Sequence, residues 1–147
     1  MKKNLIVLQE GNKDCGVASL LSIIRYYGGD ISLDRLIEMT KTTKEGTNFY
    51  NISRAALELG LMSKSYKVDD ILKIKKIDTP FVVQFRNKNY THFVVVYKVN
   101  DNRVVVMDPA VGKCNLDMFD FTSNWTGYIM IFEKVSMVPN CSEEKVL

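Results

Sequence analysis

The stretch Gln9–Ala18, which reads Gln-Glu-Gly-Asn-Lys-Asp-Cys-Gly-Val-Ala, places Cys15 where a helix is expected to begin. Apolar residues recur after it at helical spacing as far as Tyr27, and a Gly-Gly pair at 28–29 supplies a C-terminal stop. Unpaired N–H groups and the positive end of the helix dipole favour a thiolate at a helix start. The stretch therefore predicts a mostly buried first helix that begins at a candidate nucleophile.

Two shorter helices and then a set of strands are predicted downstream. The second helix has Ser32 as its N-cap, and the third is capped by Thr47 or Asn48 and ends at Gly60. Segments rich in Val, Ile, Phe and Tyr predict four strands, at 79–86, 91–99, 103–108 and 127–134. Helices first and strands afterwards, joined by short turns, indicate an α+β fold with an antiparallel sheet.

Composition narrows the class of protein further. With 147 residues, 46% of them hydrophobic, the chain is long enough for one domain and too short for two of ordinary size. The net charge of +3 is dispersed, which gives little support to nucleic-acid binding. Three cysteines without a C-x-x-C spacing and a single histidine argue against a disulfide framework or a metal site. No apolar run approaches the ~18 residues of a membrane span, so we expect a soluble fragment.

The single histidine, His92, is the only candidate for a general base. It opens one predicted strand and Asp108 closes the next, with residues 100–102 between the strands. A three-residue loop would pair Val99 with Arg103 and put His92 and Asp108 on one sheet face, roughly 7–8 Å apart at Cα. A two-residue loop would send them to opposite faces, so the pair requires an odd-length loop or a bulge that restores the parity.

These residues suit thiol catalysis of acyl transfer. In that hypothesis Cys15 attacks a carbonyl carbon, His92 handles the proton, and Asp108 fixes the imidazole tautomer. Gln9 would donate a side-chain N–H to the developing oxyanion beside the backbone N–H of Cys15. Each residue also has an ordinary structural explanation: a cysteine in an apolar helix is more often a small core residue, and Asp108 with Pro109 makes a good turn.

The order of the four residues matches the papain-like arrangement, and several longer stretches resemble one family, the C39 peptidase domains of bacteriocin-processing ABC transporters. The resemblance covers about residues 9–134. It is carried by Gln9 with Asp14-Cys15-Gly16-Val17-Ala18, Tyr26-Tyr27-Gly28, Lys44-Glu45-Gly46-Thr47, Ala55-Ala56-Leu57-Glu58-Leu59-Gly60-Leu61, His92-Phe93-Val94-Val95-Val96, Asp108-Pro109-Ala110-Val111-Gly112 and Trp125-Thr126-Gly127.

The resemblance implies a papain-like cysteine peptidase that cleaves a leader from a precursor peptide after Gly-Gly or Gly-Ala, coupled to export. It puts the catalytic positions on Cys15, His92 and Asp108, with Gln9 in the oxyanion hole. It also implies covalently linked transmembrane and nucleotide-binding domains at the cytoplasmic face of the plasma membrane. ATP and Mg would serve that parent protein, and the peptidase itself would need no cofactor. Residues 1–135 would form the domain and 136–147 a linker.

The third predicted helix carries more apolar surface than a core-facing helix needs. We therefore expect Phe49, Ile52 and Ala56, with Tyr66 beyond the helix, to line a shallow groove for an amphipathic leader helix. The alternative is that these residues are simply core. Three other functions stay open at this point: a noncatalytic leader-binding module of the same fold, a Cys-His-Asp acyltransferase or amidase, and a structural interaction domain.

Overall fold

The computed structural model describes residues 1–11, 13–87 and 90–139. After a short 3₁₀ turn at Lys3–Leu5, five helices and six strands follow one another within these described ranges. The helices are α1 (Cys15–Tyr26), α2 (Leu33–Met39), α3 (Phe49–Glu58), α4 (Ile71–Ile74) and α5 (Met118–Asn124). The strands are β1 (Leu61–Lys67), β2 (Phe81–Asn87), β3 (Tyr90–Val99), β4 (Arg103–Asp108), β5 (Gly112–Asp117) and β6 (Trp125–Lys134).

The strands form one six-stranded sheet in the order β1-β6-β2-β3-β4-β5. Every neighbouring pair is antiparallel. The predicted α+β architecture, helices on an antiparallel sheet, is therefore confirmed. Since β3 and β4 adjoin each other inside this sheet, the residues at their ends lie close together.

Each face of the sheet buries its own apolar cluster. The first cluster joins α1, α2 and α3 to one face, through residues such as Val17, Leu36, Ile52, Val82 and Val95. The second lies on the other face and includes Ile74 of α4 and Phe121 of α5. Valines at successive positions of β3 alternate between the two clusters, which is why this strand reads as a continuous apolar run.

The helix ends agree with the sequence signals. The Ser32 side chain accepts a hydrogen bond from the Arg35 N–H, and that of Asn48 accepts one from the Asn51 N–H, so Asn48 rather than Thr47 caps α3. Helix α3 ends at Glu58, and Gly60 follows with φ +90°, a conformation that a residue with a side chain rarely adopts. None of the helices in the described residues is long and apolar enough to span a membrane.

The chain beyond β6 packs back on the domain. Val138 is buried in the first cluster, and the Asp30 N–H donates to the Pro139 carbonyl oxygen. Residues 136–139 thus contact the domain, and the boundary expected after residue 135 stays a prediction. The rest of the expected linker, residues 140–147 with Cys141, lies outside the described residues.

Candidate active site

Cys15 is the first residue of α1 and is buried, with 8% of its surface exposed. The Phe93 N–H of β3 donates to its Sγ atom over 3.5 Å. Asp14 precedes it, but the Asp14 carboxylate accepts from the Gly11 N–H and, within the described chain, does not cap the helix. The sulfur therefore lies against β3, at a helix end whose first N–H groups are not occupied by the preceding side chain.

His92 and Asp108 meet across β3 and β4. His92 Nε2 lies 2.5 Å from Asp108 Oδ1, and Asp108 Oδ1 also accepts from the Ala110 N–H at 2.9 Å. One oxygen of the carboxylate thus accepts both hydrogen bonds. The predicted pairing of these residues on one sheet face is confirmed.

The pairing depends on a bulge. Val99 pairs with Val104 rather than with Arg103, so the first of the two alternatives, a three-residue loop, does not form, and this register alone would put His92 and Asp108 on opposite faces. The ladder shifts between Val96 and Lys98, so that Val96 pairs with Val106. The extra residue, Tyr97, forms a bulge that returns His92 and Asp108 to the same sheet face. This bulge is the second of the two alternatives predicted from the sequence.

The charges at the site support an imidazolium at neutral pH. Burial lowers the pKa of His92, but hydrogen bonding to Asp108, together with its interaction with Cys15, outweighs burial and raises the pKa to about 9. Burial likewise raises the pKa of Asp108, and hydrogen bonds from His92 and the Ala110 N–H outweigh it, leaving that pKa below its ordinary value. Burial raises the pKa of Cys114, which makes that thiol less reactive than a free one.

Gln9 is brought to the same end of the sheet. Its backbone N–H donates to the Pro109 carbonyl oxygen at 2.8 Å, which fixes the segment before Cys15 against the turn after Asp108. The side-chain oxygen, Oε1, is buried and has no hydrogen-bond partner among the described residues. This oxygen can only accept, so a donor N–H or O–H of a bound substrate could satisfy it, whereas the proposed oxyanion contact would use the N–H group of the same amide.

A cavity of about 260 Å³ opens in front of the cysteine. Its walls come from the residues around Cys15, the loop before α3 and the start of β3; they are Lys13, Cys15, Lys44, Glu45, Gly46, Thr47, Tyr90, Thr91 and Phe93. Among the described residues, no group of three or more His, Cys, Asp or Glu side chains could hold a metal ion. The cavity therefore presents a thiol, and its walls combine small and aromatic residues with the charged Lys13, Lys44 and Glu45.

The expected leader groove is not formed by the four residues predicted to line it. Ile52 and Ala56 are fully buried in the first cluster, because α3 turns this stripe toward the sheet, and so they are core. Tyr66 pairs with Ile129 of the second cluster and therefore lies on the opposite sheet face from α3. Phe49 is half-buried and lies 5.2 Å from the Phe93 ring, so it alone of the four adjoins the Cys15 cavity.

Tyr90 was missed by the sequence-based selection of site residues. Its hydroxyl lies 3.1 Å from His92 Nδ1, and it lines the cavity in front of Cys15. The signal was present, because residues two apart on a strand share a face and Tyr90 is two residues before His92.

A helix-borne cysteine beside a His–Asp pair on two adjacent strands of an antiparallel sheet defines the papain-like class of cysteine peptidases. The sequence matches the model of the peptidase C39 family over residues 3–136. This chain belongs to the peptidase C39 family.

Relatives of known name agree with the family. The lactococcin-G-processing and transport ATP-binding protein LagD of Lactococcus lactis subsp. lactis is 34% identical over an alignment of 148 positions that covers 99% of this chain. The chain spans only 21% of the length of LagD. It thus corresponds to one part of a larger protein in that relative.

Two solved structures share the fold. The peptidase domain of Streptococcus ComA, a bifunctional ABC transporter of a quorum-sensing pathway, matches with a TM-score of 0.78 and 31% identity, over 91% of this chain and 97% of that domain. A double glycine motif protease from an AMS/PCAT transporter, solved with its leader peptide, matches with a TM-score of 0.81 and 28% identity, over 88% of this chain and 90% of that one.

Proposed function

We propose that this chain cleaves the leader from a precursor peptide after a Gly-Gly or Gly-Ala pair, as the peptidase part of an ATP-dependent exporter. The observation that carries the proposal is Cys15 at the start of α1, held against β3 beside the His92–Asp108 pair. Family membership and the likeness to a double glycine motif protease with its leader peptide support the substrate class.

The proposed parent protein resembles LagD, whose name combines processing, transport and ATP binding. In that parent, transmembrane and ATP-binding domains would be linked to this one, with residues 136–147 leading toward them. ATP and Mg would drive transport, and the peptidase would work at the cytoplasmic face of the plasma membrane, where precursor peptides are made.

Acylation begins from a thiolate on Cys15 and an imidazolium on His92. The sulfur attacks the carbonyl carbon of the second small residue, a C–S bond forms, and the carbonyl oxygen becomes an oxyanion. The Cys15 backbone N–H and the Gln9 side-chain amide would donate to that oxygen. As the C–N bond breaks, His92 gives its proton to the leaving amine, and the leader remains as a thioester.

Deacylation reverses the roles. Neutral His92 takes a proton from a water molecule, whose oxygen attacks the thioester carbon. The C–S bond then breaks, the leader leaves as a carboxylic acid, and the thiolate–imidazolium pair returns. Asp108 keeps the proton of Nε2 in place throughout, since it bonds that nitrogen at 2.5 Å.

A preference for small residues on the acyl side is supported by the family and by the likeness to a double glycine motif protease. Thr47, Tyr90 and Phe93 border the approach to Cys15, in a cavity of about 260 Å³. We expect a branched or aromatic residue beside the scissile carbonyl to slow cleavage through contact with these side chains.

Mass spectrometry of the purified chain with a synthetic leader peptide tests the proposal. The peptide carries Gly-Gly at the junction, and a matched peptide carries Val-Val. We expect the wild type and a Cys114→Ser control to cut only the Gly-Gly peptide, after the second glycine, and Cys15→Ala to cut neither.

The other results would each remove part of the proposal. Tight binding of the peptide by both wild type and Cys15→Ala without cleavage would assign a noncatalytic docking module. Transfer of the leader to an added amine in preference to water would assign an acyltransferase. Cleavage that persists in Cys15→Ala would show that Cys15 is not the nucleophile.

A further inference from the structure

Tyr90 holds the nitrogen of His92 that Asp108 leaves free. Its Oη atom lies 3.1 Å from Nδ1, while Asp108 Oδ1 lies 2.5 Å from Nε2. The Tyr90 and His92 rings also stack, with centroids 5.7 Å apart and planes inclined by 21°. Both ring nitrogens and one ring face of the only histidine in the chain therefore have protein partners.

The position of this contact matters because of the direction of proton transfer. Since Asp108 occupies Nε2, Nδ1 is the nitrogen that exchanges a proton with Cys15 and the leaving amine. Tyr90 borders the same cavity as Cys15, and 44% of its surface is exposed. Its hydroxyl therefore lies at the reacting side of the imidazole.

A phenol suits this position in both protonation states of the imidazole. A hydroxyl donates to Nδ1 when the ring is neutral and accepts from Nδ1–H when it is charged. Burial, with the negative charges of Cys15 and Asp108, raises the pKa of Tyr90 above its ordinary value. The phenol thus keeps its proton over the pH range in which a thiol peptidase works.

We propose that Tyr90 is a positioning residue for His92, whose hydroxyl and ring fix the imidazole with Nδ1 directed at the Cys15 cavity. The inference rests on the proposed function and adds Tyr90 to Cys15, His92, Asp108 and Gln9. A hydrogen bond at Nε2 alone leaves the imidazole able to pivot about that nitrogen. A second bond at Nδ1 and a stacked ring remove this freedom, which favours the reactive geometry.

Tyr90→Phe is the informative variant, because it removes the hydroxyl and keeps the stacked ring. We expect kcat for the Gly-Gly peptide to fall about fivefold, as for loss of one neutral hydrogen bond, with KM nearly unchanged. Tyr128→Phe is the matched control: Tyr128, on β6, has a similar exposure of 42% and lies against Lys67 of β1. Its kinetic constants should equal those of the wild type.

A spectroscopic measurement tests the contact without relying on turnover. Because His92 is the only histidine, protein labelled with ¹⁵N-histidine gives a single pair of ring nitrogen signals. Above the pKa of His92, Tyr90→Phe should move the Nδ1 signal toward that of an unbonded pyridine-type nitrogen, while the Nε2 signal stays in place. Tyr128→Phe should move neither signal.

Two results would overturn the inference: an unchanged kcat with an unchanged Nδ1 signal, or a kcat that rises in Tyr90→Phe. The second would mean that the hydroxyl draws His92 away from Cys15. Failure of the wild type to cut any Gly-Gly peptide would count against the proposed function instead. The Nδ1 signal would then still decide whether Tyr90 holds His92.

Discussion

Gly16 lies against Thr47 with no room for a side chain between them. A Cβ atom on Gly16 would come within 2.7 Å of Thr47 Cγ2, and within 3.3 Å of atoms of Ile52 and Phe93. The first turn of α1 therefore meets the loop before α3 and strand β3 in direct contact. This contact places Cys15, the preceding residue, next to β3.

Gly16→Ala should consequently destabilise the domain and slow cleavage. We expect the free energy of unfolding, measured in urea, to fall by about 1–3 kcal/mol because the added methyl group overpacks the contact. Thr47→Ser removes Cγ2 but keeps the hydroxyl that donates to the Thr40 carbonyl oxygen at 2.7 Å. Combining it with Gly16→Ala should recover part of the loss; no recovery would mean that Thr47 is not the obstacle.

Asp108→Asn should impair catalysis while the fold persists. The amide keeps the shape of the carboxylate but loses the charge that holds the His92 imidazolium, so we expect kcat to fall by about 100-fold. Asp101→Asn is a suitable control, since Asp101 is 93% exposed in its side chain and pairs only with Lys75 among the described residues. An Asp108→Asn enzyme with the wild-type kcat would contradict the role of Asp108.

Activity should depend on pH through His92. The pKa of His92 is about 9, so the imidazolium that protonates the leaving amine persists through neutral pH and is lost as the pH rises through about 9. We expect kcat/KM to decline on that basic limb. The ¹⁵N signals of His92 should titrate at the same pH, and a titration near the ordinary value of 6.5 would refute the coupling to Asp108 and Cys15.

The free energy of unfolding should also depend on the protonation of His92. Because the folded pKa is raised above the unfolded value, the contribution of His92 is complete below pH 6.5 and lost as the pH rises through about 9. The difference in free energy of unfolding between wild type and His92→Gln should shrink over this window, as urea denaturation at several pH values would show. A difference that grows with pH would mean that folding lowers the pKa of His92 instead of raising it.

Phe49→Ala and Ile52→Ala should affect different quantities. Phe49 is half-buried beside Phe93, so its loss should raise KM for the leader peptide and change kcat little. Ile52 is fully buried, and its truncation should instead lower the free energy of unfolding by about 2–5 kcal/mol. A Phe49→Ala domain that is folded and has the wild-type KM would separate Phe49 from substrate binding.

The central strands and the first three helices could be predicted because their residues are buried on a regular period. Strand β4 has the predicted bounds, Arg103–Asp108. Strands β1 and β5 were missed because they are the two edges of the sheet. Most residues of β1 beyond Leu61 are exposed, so its sequence, Leu-Met-Ser-Lys-Ser-Tyr-Lys, shows no apolar alternation.

The positions of Cys15, His92 and Asp108 could be anticipated, but not the means by which the last two meet. For His92 and Asp108 to share a sheet face, the hairpin needs either a loop of odd length or a bulge. The structure has the bulge, at Tyr97. Its hydroxyl lies 2.5 Å from Ser22 Oγ of α1, a contact between residues 75 positions apart. A contact of that range leaves no local pattern in the sequence. Ile52 and Ala56 were wrongly predicted to line the leader groove for a similar reason. Helical spacing shows that they share a face of α3, but not that the sheet covers that face.

Strand β6 is synthesised after the other five strands of this sheet in the described residues, yet it lies between β1 and β2. Those two strands bond to β6 and not to each other, so the first 124 residues carry Cys15, His92 and Asp108 but not the strand that joins β1 to the rest of the sheet. A ribosome delivers the N-terminal part first. The domain therefore completes its sheet only after residue 134 has emerged, and a nascent chain that already contains every reactive side chain is not yet a finished protease.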